Sequence, residues 1–148
     1  MSKIISDIIT DNTITIDVNQ TIKDAAVLMK EYDIGFLPVM QDDILIGVVT
    51  DRDIVLKGYA KGLSKDTTVG EVMTEECIAV EKTASVDDVA DVMAENKIRR
   101  VCVIDKDELV GICAIGDIAI SNYTKRDAGQ ALTQISIPSK HSVLITNL

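Results

Sequence analysis

The segment Gly47-Val48-Val49-Thr50-Asp51-Arg52-Asp53 recurs 64 residues later as Gly111-Ile112-Cys113-Ala114-Ile115-Gly116-Asp117. The recurrence extends outward, because residues 5–61 align with residues 69–125 without a gap. Fifteen of the 57 aligned pairs are identical, and many of the others exchange one aliphatic residue for another or Asp for Glu. An internal repeat of this length indicates two copies of one structural unit.

Each repeat has the same predicted order of elements, β-α-β-β-α. Short alternating segments at 14–16 and 78–80 predict strands. Thr21 and Ser85 are each followed three residues later by Asp, a pattern typical of a capping box that opens a helix. Apolar residues at i, i+3, i+4 and i+7 spacing then indicate one buried helix face. In the first repeat, two further strands are predicted at 36–40 and 45–50, followed by a second helix at 51–60. In the second repeat the corresponding strands are predicted at 100–104 and 109–114, and the helix at 116–124.

The predicted fold class is therefore α+β, built from two tandem motifs. One motif alone cannot bury both faces of its small sheet, so the two motifs are expected to pack against each other. The histidine that the chain contains, His141, follows the second motif, where a solvent-exposed side chain is more common than a metal ligand. The predicted segments are motif 1 at 1–61, a polar linker at 62–68, motif 2 at 69–125 and a C-terminal extension at 126–148.

Composition and charge exclude several classes of function. Hydrophobic residues make up 47% of the chain, which is enough for a real core, and the net charge is −9. Nucleic-acid binding draws on an excess of Lys and Arg, so it is not expected here. The apolar runs are too short for a membrane span and the N-terminus lacks the pattern of a signal peptide, so we expect a cytoplasmic protein with no membrane partner.

The cysteines are Cys77, Cys102 and Cys113. An odd number without a CxxC pair argues against a disulfide framework and against a zinc knuckle. The interpretation is three small buried hydrophobic side chains in a reducing compartment.

The junction between strand and helix at 47–53 is the candidate site. A glycine within a strand indicates close approach of another backbone, and the following helix start is suited to phosphate. Thr50 would supply a hydroxyl, and Asp53 would accept hydrogen bonds from a ribose diol. Thr50-x-x-Asp53 is also a capping pattern that structure alone can require. Asp117 keeps the aspartate although Ala114 has lost the hydroxyl, which favours a functional role for the aspartate.

A second candidate is the basic cluster Lys97-Ile98-Arg99-Arg100 in an acidic chain. The planar guanidinium of Arg binds two phosphate oxygens at once. The alternative is a pair of surface arginines that neutralise nearby acids. The matching stretch of the first repeat, Ile34-Gly35-Phe36-Leu37-Pro38, carries no charge, so any two clefts would differ.

These motifs resemble a pair of CBS (cystathionine β-synthase-type) domains, also called a Bateman module, over about residues 1–125. The resemblance implies two motifs packed sheet to sheet with pseudo-twofold symmetry, and two clefts that bind an adenosyl ligand. Ala114 in place of the usual Thr or Ser, and Cys102 at the position of Pro38, depart from the pattern, so the Asp53 cleft is favoured. The first implied cleft contains Val48, Thr50, Asp53, Cys77, Ile78, Ile98, Arg99, Arg100 and Val101. The second contains Thr13, Ile14, Ile34, Gly35, Phe36, Leu37, Pro38, Ile112 and Asp117.

The resemblance implies a regulatory sensor without a catalytic cofactor. Its candidate ligands are AMP, ADP, ATP, S-adenosylmethionine and NAD, and it would act on an unidentified regulated protein. A structural dimerisation scaffold with empty clefts is the alternative, and an enzyme is disfavoured because the sequence offers no nucleophile with a base and no metal cluster. A homodimer that forms a disc of four motifs is expected, with contacts through Ile54, Val55, Ile118 and Ile120.

Overall fold

The structure is a computed structural model that describes residues 3–9, 13–121 and 133–135. The two repeats have the predicted β-α-β-β-α order, each preceded by a short helical turn. In the first repeat the elements are a 3-10 turn Ile5–Asp7, β1 Ile16–Asp17, α1 Ile22–Tyr32, β2 Phe36–Gln41, β3 Ile44–Thr50 and α2 Asp51–Asp53, which continues as a π turn Ile54–Gly58 and a 3-10 turn Tyr59–Lys61. In the second they are α3 Val69–Val72, β4 Ala79–Glu81, α4 Val86–Asn96, β5 Arg100–Asp105, β6 Glu108–Ala114 and α5 Ile115–Ile120.

Each repeat contributes one three-stranded sheet, in the orders β1-β2-β3 and β4-β5-β6. The first strand of each sheet is parallel to the second. In the first sheet β2 is antiparallel to β3, with an irregularity between Val39 and Met40. The turns that join the last two strands have positive φ at Asp42 and Asp43 and again at Lys106 and Asp107. Two successive residues with positive φ match the twist of a tight hairpin, and three of these four residues are Asp, which adopts positive φ more readily than most residues.

The long helix of each repeat begins at the predicted cap. The Asp24 amide donates to Thr21 Oγ1 at 3.1 Å, and the Thr21 amide donates back to Asp24 Oδ2 at 3.0 Å. In the second repeat the Asp88 amide donates to Ser85 Oγ at 3.1 Å. Both helices end at a residue in the left-handed region, Asp33 and Lys97. The predicted capping box is therefore confirmed for α1, whereas for α4 only the cap by the Ser85 hydroxyl is present.

The compact units of the chain are not the two repeats as the sequence divides them. The helical turn that begins each repeat hydrogen-bonds to the other repeat. The Ile5 amide donates to the carbonyl oxygen of Ala84 at 2.8 Å, and the Val69 amide donates to that of Gln20 at 2.7 Å. Among the described residues, the first unit consists of 3–9, 82–101, 112–121 and 133–135, and the second unit of 13–81 and 102–111.

Each unit has its own buried side chains, and seven of the eight residues on the two predicted helix faces are among them. The predicted face of α4 is fully buried, whereas Ala26 on the predicted face of α1 is exposed. Ile118, expected at a dimer contact, is fully buried, so it belongs to the core. The core of the second unit consists of Ile16, Ile22, Ala25, Met29, Leu37, Val39, Val49, Val69 and Val72. In the first unit the buried residues are Ile5, Val86, Val89, Ala90, Met93, Val101, Cys113 and Ile118.

None of the helices in the described residues is long and apolar enough to cross a membrane. The C-terminal extension at 126–148 lies outside the described residues except at 133–135, where the backbone is helical. His141 and Pro138 also lie outside the described residues.

Candidate functional site

The glycine of the repeated motif lies against another segment of backbone, as the sequence predicted. Val48 and Thr74 exchange two backbone hydrogen bonds, of 3.0 and 2.8 Å, in an isolated antiparallel bridge. A Cβ at Gly47 would lie 2.6 Å from the Thr74 carbonyl oxygen and 3.2 Å from Met73 Sδ. A backbone atom cannot move aside as a flexible side chain can. Gly47 therefore allows the start of the second repeat to lie beside β3.

We expect Gly47→Ala to lower the free energy of unfolding by about 1–3 kcal/mol, because overpacking at a fixed backbone forces a local shift. Gly116→Ala is the matched control, since a Cβ there meets nothing within 4 Å and alanine favours the helix. Urea denaturation of both variants measures the difference. Equal stability of the two variants would show that the approach at Gly47 is not tight in solution.

The Asp53 carboxylate is the centre of a small polar network in the second unit. It is 8% exposed, and one of its oxygens accepts from the Thr50 amide at 3.0 Å. The Thr74 hydroxyl lies 3.2 and 3.3 Å from the two carboxylate oxygens, and Lys57 Nζ lies 3.1 Å from Oδ1. The Asp53 amide donates back to Thr50 Oγ1 at 3.1 Å, which completes a capping box. Thr50 and Asp53 therefore have a structural role at the helix start.

The amides at the start of α2 already have acceptors. The Asp51 amide donates to the Gly35 carbonyl oxygen at 3.0 Å, and the Arg52 amide donates to Asp51 Oδ1 at 2.8 Å. The Asp53 amide is bonded to Thr50, and two carboxylates lie at this helix end. A phosphate group would have to displace these acceptors and approach two negative charges. The helix start is therefore a poorer phosphate site than the sequence alone suggested.

The contrast between Gly35 and Arg99 in the two repeats has a local cause. A Cβ at Gly35 would lie 2.7 Å from Asp51 Oδ2. The Arg99 carbonyl oxygen accepts from the Ile115 amide at 2.8 Å, the same backbone contact that Gly35 makes with Asp51. Because Ile115 stands where Asp51 stands in the first repeat, residue 99 is free of that carboxylate and carries a side chain. Arg99 and Arg100 are both exposed.

The equivalent aspartate of the second repeat has fewer partners. Asp117 is half-buried and accepts from the Ala114 amide at 2.8 Å. This bond caps α5 without any hydroxyl at residue 114. The sequence argument that Asp117 is unexplained without its hydroxyl partner is therefore wrong, because the carboxylate caps the helix through a backbone amide.

The residues of the two implied clefts are divided between the two compact units. For the first cleft, the second unit contains Val48, Thr50, Asp53, Cys77 and Ile78, whereas the first unit contains Ile98, Arg99, Arg100 and Val101. For the second cleft, the second unit contains Thr13, Ile14, Ile34, Gly35, Phe36, Leu37 and Pro38, whereas the first unit contains Ile112 and Asp117. The assignment of these residues to two clefts stays a prediction.

Two of the predicted side chains are fully buried in the structure. Leu37 is 0% exposed and Val101 is 1% exposed. Leu37 is part of the core of its unit. Side chains at these positions do not face an open cleft, so only their backbone groups remain available to a ligand.

Sequence reasoning missed two polar partners of Asp53. Thr74 lies 21 residues away along the chain, and Lys57 lies one helical turn beyond Asp53. Thr74 aligns with an identical residue, Thr10, in the repeat alignment, and this match was a signal that Thr74 matters. The i, i+4 spacing of Asp53 and Lys57 was a signal for the second. The described residues contain no group of three or more His, Cys, Asp or Glu side chains suited to a metal ion.

A family model described as "CBS domain" matches residues 5–58 and 69–121, one match in each repeat. The chain belongs to the CBS-domain family. It is 40% identical over 137 residues to the CBS domain-containing protein YhcV of Bacillus subtilis, covering 93% of this chain and 98% of that one. It is 43% identical over 115 residues to Hypoxic response protein 1 of Mycobacterium tuberculosis, covering 76% of this chain and 80% of that one.

Solved CBS-domain structures resemble the fold of this chain. The crystal structure of Hypoxic Response Protein I with two coordinated zinc ions has a TM-score of 0.72 at 40% identity, covering 79% of this chain and 97% of that one. The CBS domain pair of protein MJ0100, in complex with 5′-methylthioadenosine and S-adenosyl-L-methionine, has a TM-score of 0.71 at 30% identity, covering 80% of this chain and 94% of that one. This CBS-domain protein is therefore a CBS pair, a regulatory module, and the matching family is not a catalytic one.

Proposed function

We propose that this CBS pair is a sensor that binds an adenosyl ligand in clefts between its two motifs, with Asp53 as the acceptor for the ribose hydroxyls. The observation that carries the proposal is the contact between the Asp53 carboxylate and the Thr74 hydroxyl. A carboxylate that already accepts a hydroxyl proton at 3.2 Å provides a position that a ribose hydroxyl would take over.

The chemistry of the ligand follows from the groups around Asp53. The ammonium group of Lys57 balances the negative charge of the Asp53 carboxylate, and the lysine side chain is 42% exposed. The aliphatic residues Val48 and Ile78 are typical neighbours of an adenine ring, because a base packs on apolar surface. The related pair bound to 5′-methylthioadenosine and S-adenosyl-L-methionine supports the adenosyl class. AMP, ADP, ATP, S-adenosylmethionine and NAD are the proposed candidates, with no catalytic cofactor.

The backbone amides at the start of α2 already donate hydrogen bonds within the chain, and this affects which adenosyl ligand binds best. A phosphate at that helix start competes with internal acceptors and with the charges of Asp51 and Asp53. Adenosyl compounds without a phosphate avoid that competition. A phosphate-bearing ligand would instead depend on Arg99 and Arg100, which are exposed residues.

A thermal-shift panel of these compounds at millimolar concentration tests the proposal. A ligand present at ten times its dissociation constant adds about 1.4 kcal/mol of stability. For a chain of this length we expect the melting temperature to rise by about 3–6 °C. The matching guanine compounds serve as the control for the base. No shift with any adenosyl compound would contradict the sensor and favour the structural scaffold.

Variants of the two aspartates test the proposed role of Asp53. Asp53→Asn keeps the shape of the side chain but removes the charge that strengthens hydrogen bonds to hydroxyl groups. We expect it to weaken binding by about 10–100-fold, as for the loss of a charged hydrogen bond. Asp117→Asn is the matched control and is expected to retain the binding of the Asp53 cleft. Equal losses in both variants would remove the preference for Asp53.

Assembly and location are part of the same proposal. We expect a homodimer, to which the exposed side chains of Val55 and Ile120 contribute. A solved CBS-CP12 protein with 36% identity and a TM-score of 0.71 over 82% of this chain is described as hexameric, so CBS modules also form larger assemblies. The proposed location is the cytoplasm, and the regulated partner is a protein.

A further inference from the structure

Two cysteines of the second repeat lie side by side in the second compact unit. Residue Cys102 in β5 pairs with Ala79 in β4, and the Cys102 amide donates to the Ile78 carbonyl oxygen at 3.1 Å. Cys77 is the residue immediately before Ile78, so the backbone pairing brings it next to β5, and its thiol lies close enough to that of Cys102 for each to affect the pKa of the other. Both members of this pair belong to one repeat, whereas the first repeat has Thr13 and Pro38 at the equivalent positions.

The two cysteines differ in their exposure to solvent. Cys77 is half-buried, whereas Cys102 is buried. The expectation that all three cysteines are buried is therefore wrong for Cys77, because it lies in the turn before β4 rather than in the sheet. The Cys77 amide donates to the Glu75 carbonyl oxygen at 3.0 Å, which places the residue in a tight turn outside any strand. Such a turn permits the small backbone adjustment that a sulfur–sulfur bond requires.

We propose that Cys77 and Cys102 form a reversible intrachain disulfide that acts as a redox clamp on the segment 74–78. The oxidant is a low-molecular-weight disulfide. The Cys77 thiolate attacks one sulfur of the oxidant, forms a mixed disulfide and releases one thiolate. The Cys102 thiolate then attacks Cys77 Sγ and releases the second thiolate. Two protein thiols are oxidised by two electrons and the oxidant is reduced to two thiols.

The consequence of the clamp follows from what the segment carries. Thr74 lies at its start, bonded through its backbone to Val48 and through its hydroxyl to Asp53. A bond from Cys77 to β5 ties the other end of this segment to the sheet. The oxidised chain therefore holds Thr74 beside Asp53, whereas the reduced chain allows the segment to open. This inference concerns the chain itself and does not require the proposed ligand.

The pKa values give the reaction its pH dependence. Burial, and next the charge of Cys77, raises the pKa of Cys102 to about 12. Burial also raises the pKa of Cys77. Both residues are thiols near neutral pH, and the thiolate fraction of Cys102 increases tenfold per pH unit below its pKa. We therefore expect closure of the bridge to be slow at neutral pH and about tenfold faster for each unit of increase.

Treatment of the full chain with glutathione disulfide tests the proposal. We expect a mass about 2 Da below that of the reduced chain, loss of two of the three thiols, and a peptide that joins residues 77 and 102. Dithiothreitol should restore both thiols. The oxidised chain should melt about 5–10 °C higher and exchange its Thr74 amide more slowly.

The controls separate this bridge from other thiol chemistry. Burial, and next the charge of Asp117, raises the pKa of Cys113 to about 12, and Cys113→Ser is expected to leave the bridge unchanged. Cys77→Ser and Cys102→Ala should each abolish it, and the half-buried position of Cys77 makes the first variant safe for folding. A stable glutathione adduct on Cys77, a disulfide between two chains, or a bridge to Cys113 would overturn the proposal.

Discussion

Asp53→Ala is expected to lower the free energy of unfolding by about 2–4 kcal/mol. The variant leaves the Thr50 amide and the Thr74 hydroxyl without their acceptor, and each hydrogen bond to a charged group contributes about 1.5 kcal/mol or more. The ion pair with Lys57 adds little, because the lysine side chain is 42% exposed and water screens the pair. The loss therefore comes from two polar groups that are unsatisfied in a partly buried place.

Asp117→Ala is the comparison that makes this measurement decisive. Its carboxylate accepts from the Ala114 amide, and the structure gives it no second donor among the described residues. We expect a loss of about 1 kcal/mol, as for a helix cap. Urea denaturation of both variants, followed by circular dichroism, measures the two losses. Equal losses would show that the Thr74 contact contributes nothing in solution.

A double-mutant cycle separates the Thr74 contact from the helix cap. Thr74→Val removes the hydroxyl but keeps the shape of the side chain. We expect Thr74→Val to be destabilising in the natural chain and close to neutral when Asp53 is already Ala, because neighbouring groups of one network do not add. Strict additivity of the two losses would place the stabilising role of Asp53 in the cap alone.

The elements of the fold followed from the sequence because each repeat encodes them locally. Thr21 with Asp24 and Thr50 with Asp53 act over three residues, and apolar spacing marks the buried faces of α1 and α4. Such signals are local and require no knowledge of the rest of the chain. The internal repeat strengthened the secondary-structure prediction, because both copies predicted the same order of elements.

What escaped prediction depends on contacts between distant segments. The turn at Ile5–Asp7 hydrogen-bonds to the second repeat, and α3 hydrogen-bonds to the first. No periodicity encodes such a crossing, because the hydrogen bonds join backbone groups that are alike in every residue. Thr74 was missed for the same reason, since it reaches Asp53 through the bridge with Val48 rather than through any motif. The sequence indicated the close approach at Gly47 but not the identity of the approaching segment.

The capping interpretation and the ribose interpretation of Asp53 are compatible. One carboxylate oxygen, Oδ2, accepts from the Thr50 amide at 3.0 Å, and Oδ1 receives Lys57. An ionised carboxylate has about four lone-pair positions, so the helix cap does not exhaust its capacity. The cap holds the carboxylate in one orientation, which is what a hydroxyl-binding group needs.

Leu37→Ala is expected to be among the most destabilising single changes in the second unit, with a loss of about 2–5 kcal/mol. Leu37 is 0% exposed and packs in the core with Val39 and Val49, so truncation leaves a cavity that rigid neighbours fill only in part. Leu56→Ala is the matched control, because Leu56 is 46% exposed and its loss should stay within about 0.5 kcal/mol. Chemical denaturation measures both variants.

The same variant decides whether the Leu37 side chain contacts a ligand. Burial in the core implies that the affinity for an adenosyl ligand, measured by calorimetry on the folded fraction, stays within about threefold, a difference of less than 1 kcal/mol. If a folded Leu37→Ala protein binds the ligand tenfold more weakly, the Leu37 side chain contacts the ligand in the cleft. A folded protein with unchanged affinity restricts the cleft contribution of Leu37 to its backbone groups, because a side chain enclosed by the core has no surface left to offer a ligand.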